Sequence, residues 1–140
     1  MAIPSQLQLE IVSADRALVN EVVDEVQIPG AVGYLGILPG HTPLLTTLHV
    51  GQLWYRQQSE KHSLAIAFGF AEVLPDRVTI LAQIAERADE IDVARAETAK
   101  RRAEERLAKP TLDMDFERAR IALMKALVRL QVASRARIRS

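Results

Sequence analysis

The feature that most constrains this chain is a change of hydrophobic period near Arg87. Before it, apolar and polar residues alternate, as in Gln6-Leu7-Gln8-Leu9-Glu10-Ile11, the pattern of strands with one buried and one wet face. Short apolar runs at residues 53–56, 64–70 and 78–82 follow, separated by turn chemistry at Gln58-Ser59-Glu60-Lys61 and Pro75-Asp76-Arg77. Val19, Val22, Val23 and Val26 also fit helical spacing, but β-branched residues favour a pleated surface and the Asp15-Arg16 turn precedes them, so a strand is expected there. All six glycines lie at or before Gly69.

From Asp89 onward the sequence is alanine-rich, with Val93, Ala96, Ala99, Ala103 and Leu107 recurring at three and four residues, which predicts a helix. Asp89 is expected to cap it, with Glu90 and Asp92 against the positive end of its dipole. Pro110 ends it, and Asp113 or Asp115 opens a second helix running to Ala133 or beyond. So short a connection makes the two helices antiparallel. Ala96, Ala99 and Ala103 opposite Ala119, Ala122 and Ala126 would let their backbones approach closely. The second helix is apolar around more of its circumference than one partner covers, through Ile121, Leu123, Met124, Leu127, Val128, Leu130 and Val132; a second surface is needed, from the sheet or from another protein.

Charge divides at the same place. Of the 140 residues, 1–86 hold four basic and nine acidic side chains, and 87–140 hold fourteen basic and nine acidic ones. Two modules follow, a compact all-β unit over 1–86 and a helical hairpin over 87–140. The absence of cysteine excludes disulfides, thiolate metal sites and cysteine nucleophiles, and fits a reducing compartment. No apolar run approaches the ~20 residues that span a bilayer. The first basic side chain is Arg16, so no secretory or transit leader is expected.

Chemistry-bearing patterns are few. Gly33-Tyr34-Leu35-Gly36-Ile37-Leu38-Pro39-Gly40-His41 lacks the lysine and hydroxyl residue of a phosphate loop, and its glycines read as turn formers. His41, His49 and His62 are too scattered for a metal site, and no catalytic triad or nucleophile elbow is readable. Lys100-Arg101-Arg102 and the tail of Arg135, Arg137 and Arg139 raise a nucleic-acid reading, which the interleaved Glu97, Glu104 and Glu105 and the lack of aromatic platforms weaken.

The run Gly36-Ile37-Leu38-Pro39-Gly40-His41-Thr42-Pro43-Leu44-Leu45, with Leu48 and Gly51, closely resembles the epsilon subunit of the F-type rotary ATP synthase. The likeness continues through Gly69-Phe70-Ala71-Glu72-Val73, Val78-Thr79-Ile80-Leu81-Ala82, Ala85-Glu86-Arg87-Ala88 and Ile91-Asp92-Val93-Ala94-Arg95-Ala96. It implies an amino-terminal antiparallel β-sandwich of about ten strands and a carboxy-terminal two-helix hairpin. It also implies a non-catalytic subunit of the rotor stalk, peripheral on the cytoplasmic face of the bacterial inner membrane. There the sandwich would bind the gamma subunit and the c-ring, coupling ring rotation to the alpha–beta hexamer.

The same resemblance implies that the hairpin inhibits ATP hydrolysis by extending toward the beta subunit, through some of Arg118, Arg120, Lys125, Arg129 and Arg135. Rotor contacts would include Tyr34, which replaces an acidic residue common in the family, and His41. A nucleotide motif maps to Glu86, Ile91, Asp92, Arg95, Ala96, Lys125 and Arg129, with ATP as a regulatory ligand and no required cofactor or metal. Lys125 stands where the ATP-binding pattern has arginine, and an ammonium lacks the planar fork that suits phosphate, so weak binding is expected. The alternative from another class is a stand-alone sandwich module whose basic hairpin binds nucleic acid; the rotor reading carries no nucleic-acid partner.

Overall fold

The computed structural model describes residues 3–139, with side chains up to Arg135; those of Arg137 and Arg139 lie outside the described residues. Seven strands, β1 (Leu7–Ser13), β2 (Ala17–Val23), β3 (Glu25–Gly30), β4 (Gly33–Ile37), β5 (Leu44–Gln57), β6 (Glu60–Leu74) and β7 (Arg77–Arg87), precede a 3-10 turn (Ala88–Glu90) and the helices α1 (Val93–Ala108) and α2 (Phe116–Arg139). The strands form one sheet in the order β2-β1-β7-β6-β5-β3-β4. Only β1 and β7 pair in parallel; the other neighbours are antiparallel. The valine-rich segment is two strands, broken at Asp24.

The three long strands turn this sheet into a sandwich. Core residues on β6 are Leu64 and Ile66, then Ala71 and Val73; on β7 they are Val78, Ile80 and Ala82, then Ala85; on β5 they are Leu48, then Leu53 and Tyr55. Alternation therefore slips by one residue in each strand. The slips align across the sheet, because Gly69 pairs with both Leu48 and Ala82. At that corner Phe68 has φ 63° and Gly69 φ 132°. A Cβ on Gly69 would lie 2.1 Å from the Leu81 carbonyl oxygen, so only glycine fits the bend. Each long strand thus contributes to both layers, and the expected count of about ten strands corresponds to these seven counted layer by layer. The layers close where the Gln57 amide donates to the Val22 carbonyl at 3.1 Å and the Asp24 N–H donates to the Arg56 carbonyl at 2.8 Å.

The linker differs in detail from expectation. Asp89 lies in the 3-10 turn, and the cap of α1 is Asp92, whose carboxylate accepts the Arg95 N–H at 3.2 Å. The later start follows from Ile91, which is buried and pins the chain to the sheet before the helix begins. Asp115 caps α2 by accepting the Arg118 N–H at 3.0 Å. Ala96, Ala103, Ala119 and Ala126 are buried along the hairpin. The surplus apolar face of α2 meets the sandwich: Val132 and Ala133 form a cluster with Ala65 of β6 and with Ile91, flanked by Ala88, Val93 and Val128.

Candidate functional site

The seam between hairpin and sandwich gathers the charged residues that the sequence singles out. Glu86, near the end of β7, pairs with Ala65 and stands on the sheet face that α2 covers. Lys125 and Arg129 are four residues apart on α2, hence on one face. Arg129 closes on Glu86: its Nη2 donates to Oε2 at 3.2 Å, while its Nε sits 2.8 Å from Oε1, an ionic contact off the hydrogen-bond direction. Both side chains are only a quarter exposed, at 25% and 24%, so the pair is screened less than the fully exposed kind worth ~0.2–1 kcal/mol. The Lys125 ammonium lies 5.7 Å from the Phe68 ring centroid, a contact no sequence pattern announced.

Beneath these charges lies a cavity of about 260 Å³, walled by Val50, Ala67 and Ile84 of the sheet and Ala99, Ala122 and Ala126 of the helices. Small side chains on both walls create it. Its volume falls just below the ~300–1,000 Å³ of ordinary ligand pockets.

Glu86, Lys125 and Arg129 are thus brought together, whereas the first turn of α1 is not part of the cavity wall. Ile91 belongs to the apolar cluster, Ala96 is 0% exposed between the helices, and the Asp92 carboxylate is occupied as a cap. Arg95 points to solvent. In this folded state Ala96 has no side-chain surface to offer a ligand and Ile91 has little.

The cations expected to meet a partner split into two groups. Lys125 and Arg129 face the sandwich, while Arg118, Arg120 and Arg135 are exposed. Arg120 is paired with Glu117 one turn earlier, and that hydrogen bond and charge lower the Glu117 pKa and raise that of Arg120. Arg135 lines a separate polar groove with Lys61 and Arg87.

Tyr34 is 56% exposed and packs across Gly51, its hydroxyl accepting the Gln52 N–H at 3.3 Å. A Cβ on Gly51 would come within 2.7 Å of that hydroxyl, so the glycine makes room for the ring. The His41 ring Nδ1 donates to the Thr42 carbonyl at 2.6 Å, which fixes the proton on that nitrogen. A second surface escaped the sequence reading. Val12, Leu81, Phe70 and Thr47 are successive cross-strand partners, and Phe70 and Leu81 are 56% and 54% exposed. Periodicity alone could have placed this row on the outer face once the slip at Gly69 was known. Among the described residues no helix is long and apolar enough to cross a membrane, and no cluster of three His, Asp or Glu residues could hold a metal.

The family model for the ATP synthase Delta/Epsilon chain β-sandwich domain matches residues 6–88, and that for the long α-helix domain of the same chains matches residues 89–134. The chain belongs to the ATP synthase delta/epsilon family. Within that family it is an epsilon subunit of the F-type enzyme: it is 59% identical to the ATP synthase epsilon chain of Koribacter versatilis over 71% of this chain and 70% of that one. It is 53% identical to the epsilon chain of Herpetosiphon aurantiacus over 91% and 93% of the two chains. Among solved structures, a chain of the Euglena gracilis mitochondrial ATP synthase (OSCP/F1/c-ring) superposes with TM-score 0.82 and 27% identity, covering 96% of this epsilon subunit and 84% of its counterpart. A chain of the Tetrahymena thermophila mitochondrial ATP synthase shares the fold at TM-score 0.57, with 12% identity and coverage of 96% and 98%.

Proposed function

We propose that this epsilon subunit is a non-catalytic element of the central stalk that transmits c-ring rotation and restrains ATP hydrolysis. Its sandwich would bind gamma and the c-ring, with Tyr34 and His41 at the ring-facing end. Its hairpin would reach the alpha–beta hexamer on the cytoplasmic face of the bacterial membrane. The observation that carries this reading is the seam: among the described residues the hairpin rests on the sandwich through a small apolar cluster and the Arg129–Glu86 ion pair, with Lys125 and Arg129 turned inward. Release would present those cations, with Arg118, Arg120 and Arg135, to an acidic partner surface, as a two-state element requires. The exposed Phe70 and Leu81 row supports a docked sandwich, since large solvent-facing apolar residues in register mark interaction surfaces.

ATP is proposed as a regulatory ligand of the seam, with its phosphates on Lys125 and Arg129. A ligand that binds only the folded hairpin stabilises it by about 2.7 kcal/mol at a hundredfold excess over Kd. Lysine in place of arginine at 125 sets the affinity at roughly sub-millimolar to millimolar.

Co-purification tests the assembly reading. The tagged chain should bring down gamma and the c-ring, and Phe70→Asp with Leu81→Asp should abolish this without unfolding the sandwich. Retention of both partners by the folded double variant would exclude this face as the docking surface.

A further inference from the structure

We infer that Glu86 is a built-in anion that occupies the Arg129 guanidinium in the nucleotide-free state, so the folded hairpin latches itself and an arriving phosphate must displace Glu86. This deepens the nucleotide reading above and rests on it for the displacement step; the latch stands on geometry alone. A carboxylate on a guanidinium presents the same negative oxygens that a phosphate would. Here one Glu86 oxygen accepts from Nη2 at 3.2 Å and the other lies 2.8 Å from Nε, covering two of the nitrogens a phosphate would use. Breaking this pair without a replacement would leave two charges three-quarters buried at a seam whose cavity wall is mostly alanine and valine. Two separate elements, β7 and α2, are joined by the pair across 43 residues of sequence. Among the described residues no carboxylate lies within ion-pair distance of Lys125, whose ammonium is 5.7 Å from the Phe68 ring centroid, so it is the first contact for an arriving anion.

The chemistry assigns Glu86 a sign opposite to that of a base or ribose ligand. Removing the carboxylate should loosen the empty hairpin but improve phosphate binding to the molecules that remain folded. The two effects separate if the folded fraction is measured in the same samples, because apparent affinity scales with that fraction.

The test uses the full chain, with spin labels on the sandwich and on α2 reporting the interdomain distance, and calorimetric titration with ATP and with inorganic tripolyphosphate. Without nucleotide, Glu86→Gln and Arg129→Gln should each raise the open population several-fold, and exchanging the two residues (Glu86→Arg with Arg129→Glu) should restore closure. With the folded fraction divided out, Glu86→Gln should tighten ATP and tripolyphosphate alike by several-fold, and Arg129→Gln should abolish the gain. Unchanged open populations in both single variants would overturn the latch. Weaker ATP binding with unchanged tripolyphosphate binding in Glu86→Gln would overturn the competition and make Glu86 a nucleoside ligand, leaving the nucleotide reading intact. No binding of either probe to any variant would overturn both the competition and the nucleotide reading, while the distance measurement would still decide the latch.

Discussion

Arg16 and Glu90 form an ion pair at 2.5 Å that ties the β1–β2 turn to the linker that precedes the hairpin. Glu90 also accepts the Arg87 N–H at 3.2 Å, and the Arg87 side chain donates to the Leu18 carbonyl, so the linker is held from β1, β2 and β7 together. The hydrogen bond from Arg16 is the main cause of a lowered Glu90 pKa. A depressed carboxyl stabilises the fold above its ordinary range and loses that contribution as pH falls through the folded value. The hydrogen-exchange protection factors of residues 88–92, taken relative to the unstructured rate at each pH, should therefore fall below about pH 4.5 in the parent chain, whereas Glu90→Gln should show the lower protection at every pH. The pair is partly exposed and screened by solvent, so the change should be small.

Gly69→Ala should be among the most damaging single substitutions. Its Cβ would collide with the Leu81 carbonyl oxygen and the backbone at 132° disfavours any side chain, so the sandwich corner cannot form unchanged. Denaturant titration should show a loss of about 2 kcal/mol or more.

Ala126→Leu should part the helices without harming the sheet. Ala126 is 2% exposed between α1 and the cavity wall, and overpacking such a site costs ~1–3 kcal/mol. Exchange should quicken throughout α1 and α2 and remain slow in β5, β6 and β7. Loss of protection in the strands as well would show that hairpin and sandwich fold as one cooperative unit.

The two-part architecture was legible because both periods are local. The Asp115 cap and the alanine stripe, Ala96 and Ala103 with Ala119 and Ala126, were readable for the same reason. What escaped was non-local. Sequence shows a glycine at 69 but not that Phe68 joins it at positive φ, so three continuous strands read as shorter pieces. The start of α1 moved from Asp89 to Asp92 because the burial of Ile91 depends on Val132 and Ala133, some forty residues later. The candidate nucleotide residues were chosen by pattern, which cannot show that Glu86 and Arg129 neutralise each other or that Ala96 is sealed between helices.

Lys125→Arg should strengthen nucleotide binding. A guanidinium at that position offers two parallel donors to a phosphate where the ammonium offers a point charge, so the ATP affinity should rise by roughly tenfold in calorimetry. Equal affinity for parent and variant would place the phosphates away from α2.

Hydrolysis by the assembled ATP synthase with the chain truncated after Ala88 tests the central claim most directly. Removing α1 and α2 leaves the seven strands and their exposed Phe70 and Leu81 row in place. The account predicts normal assembly and faster ATP hydrolysis than with the full chain. The contrast should be largest at low salt, where charges beyond ~8–10 Å are least screened. Unchanged hydrolysis in a fully assembled complex would contradict it.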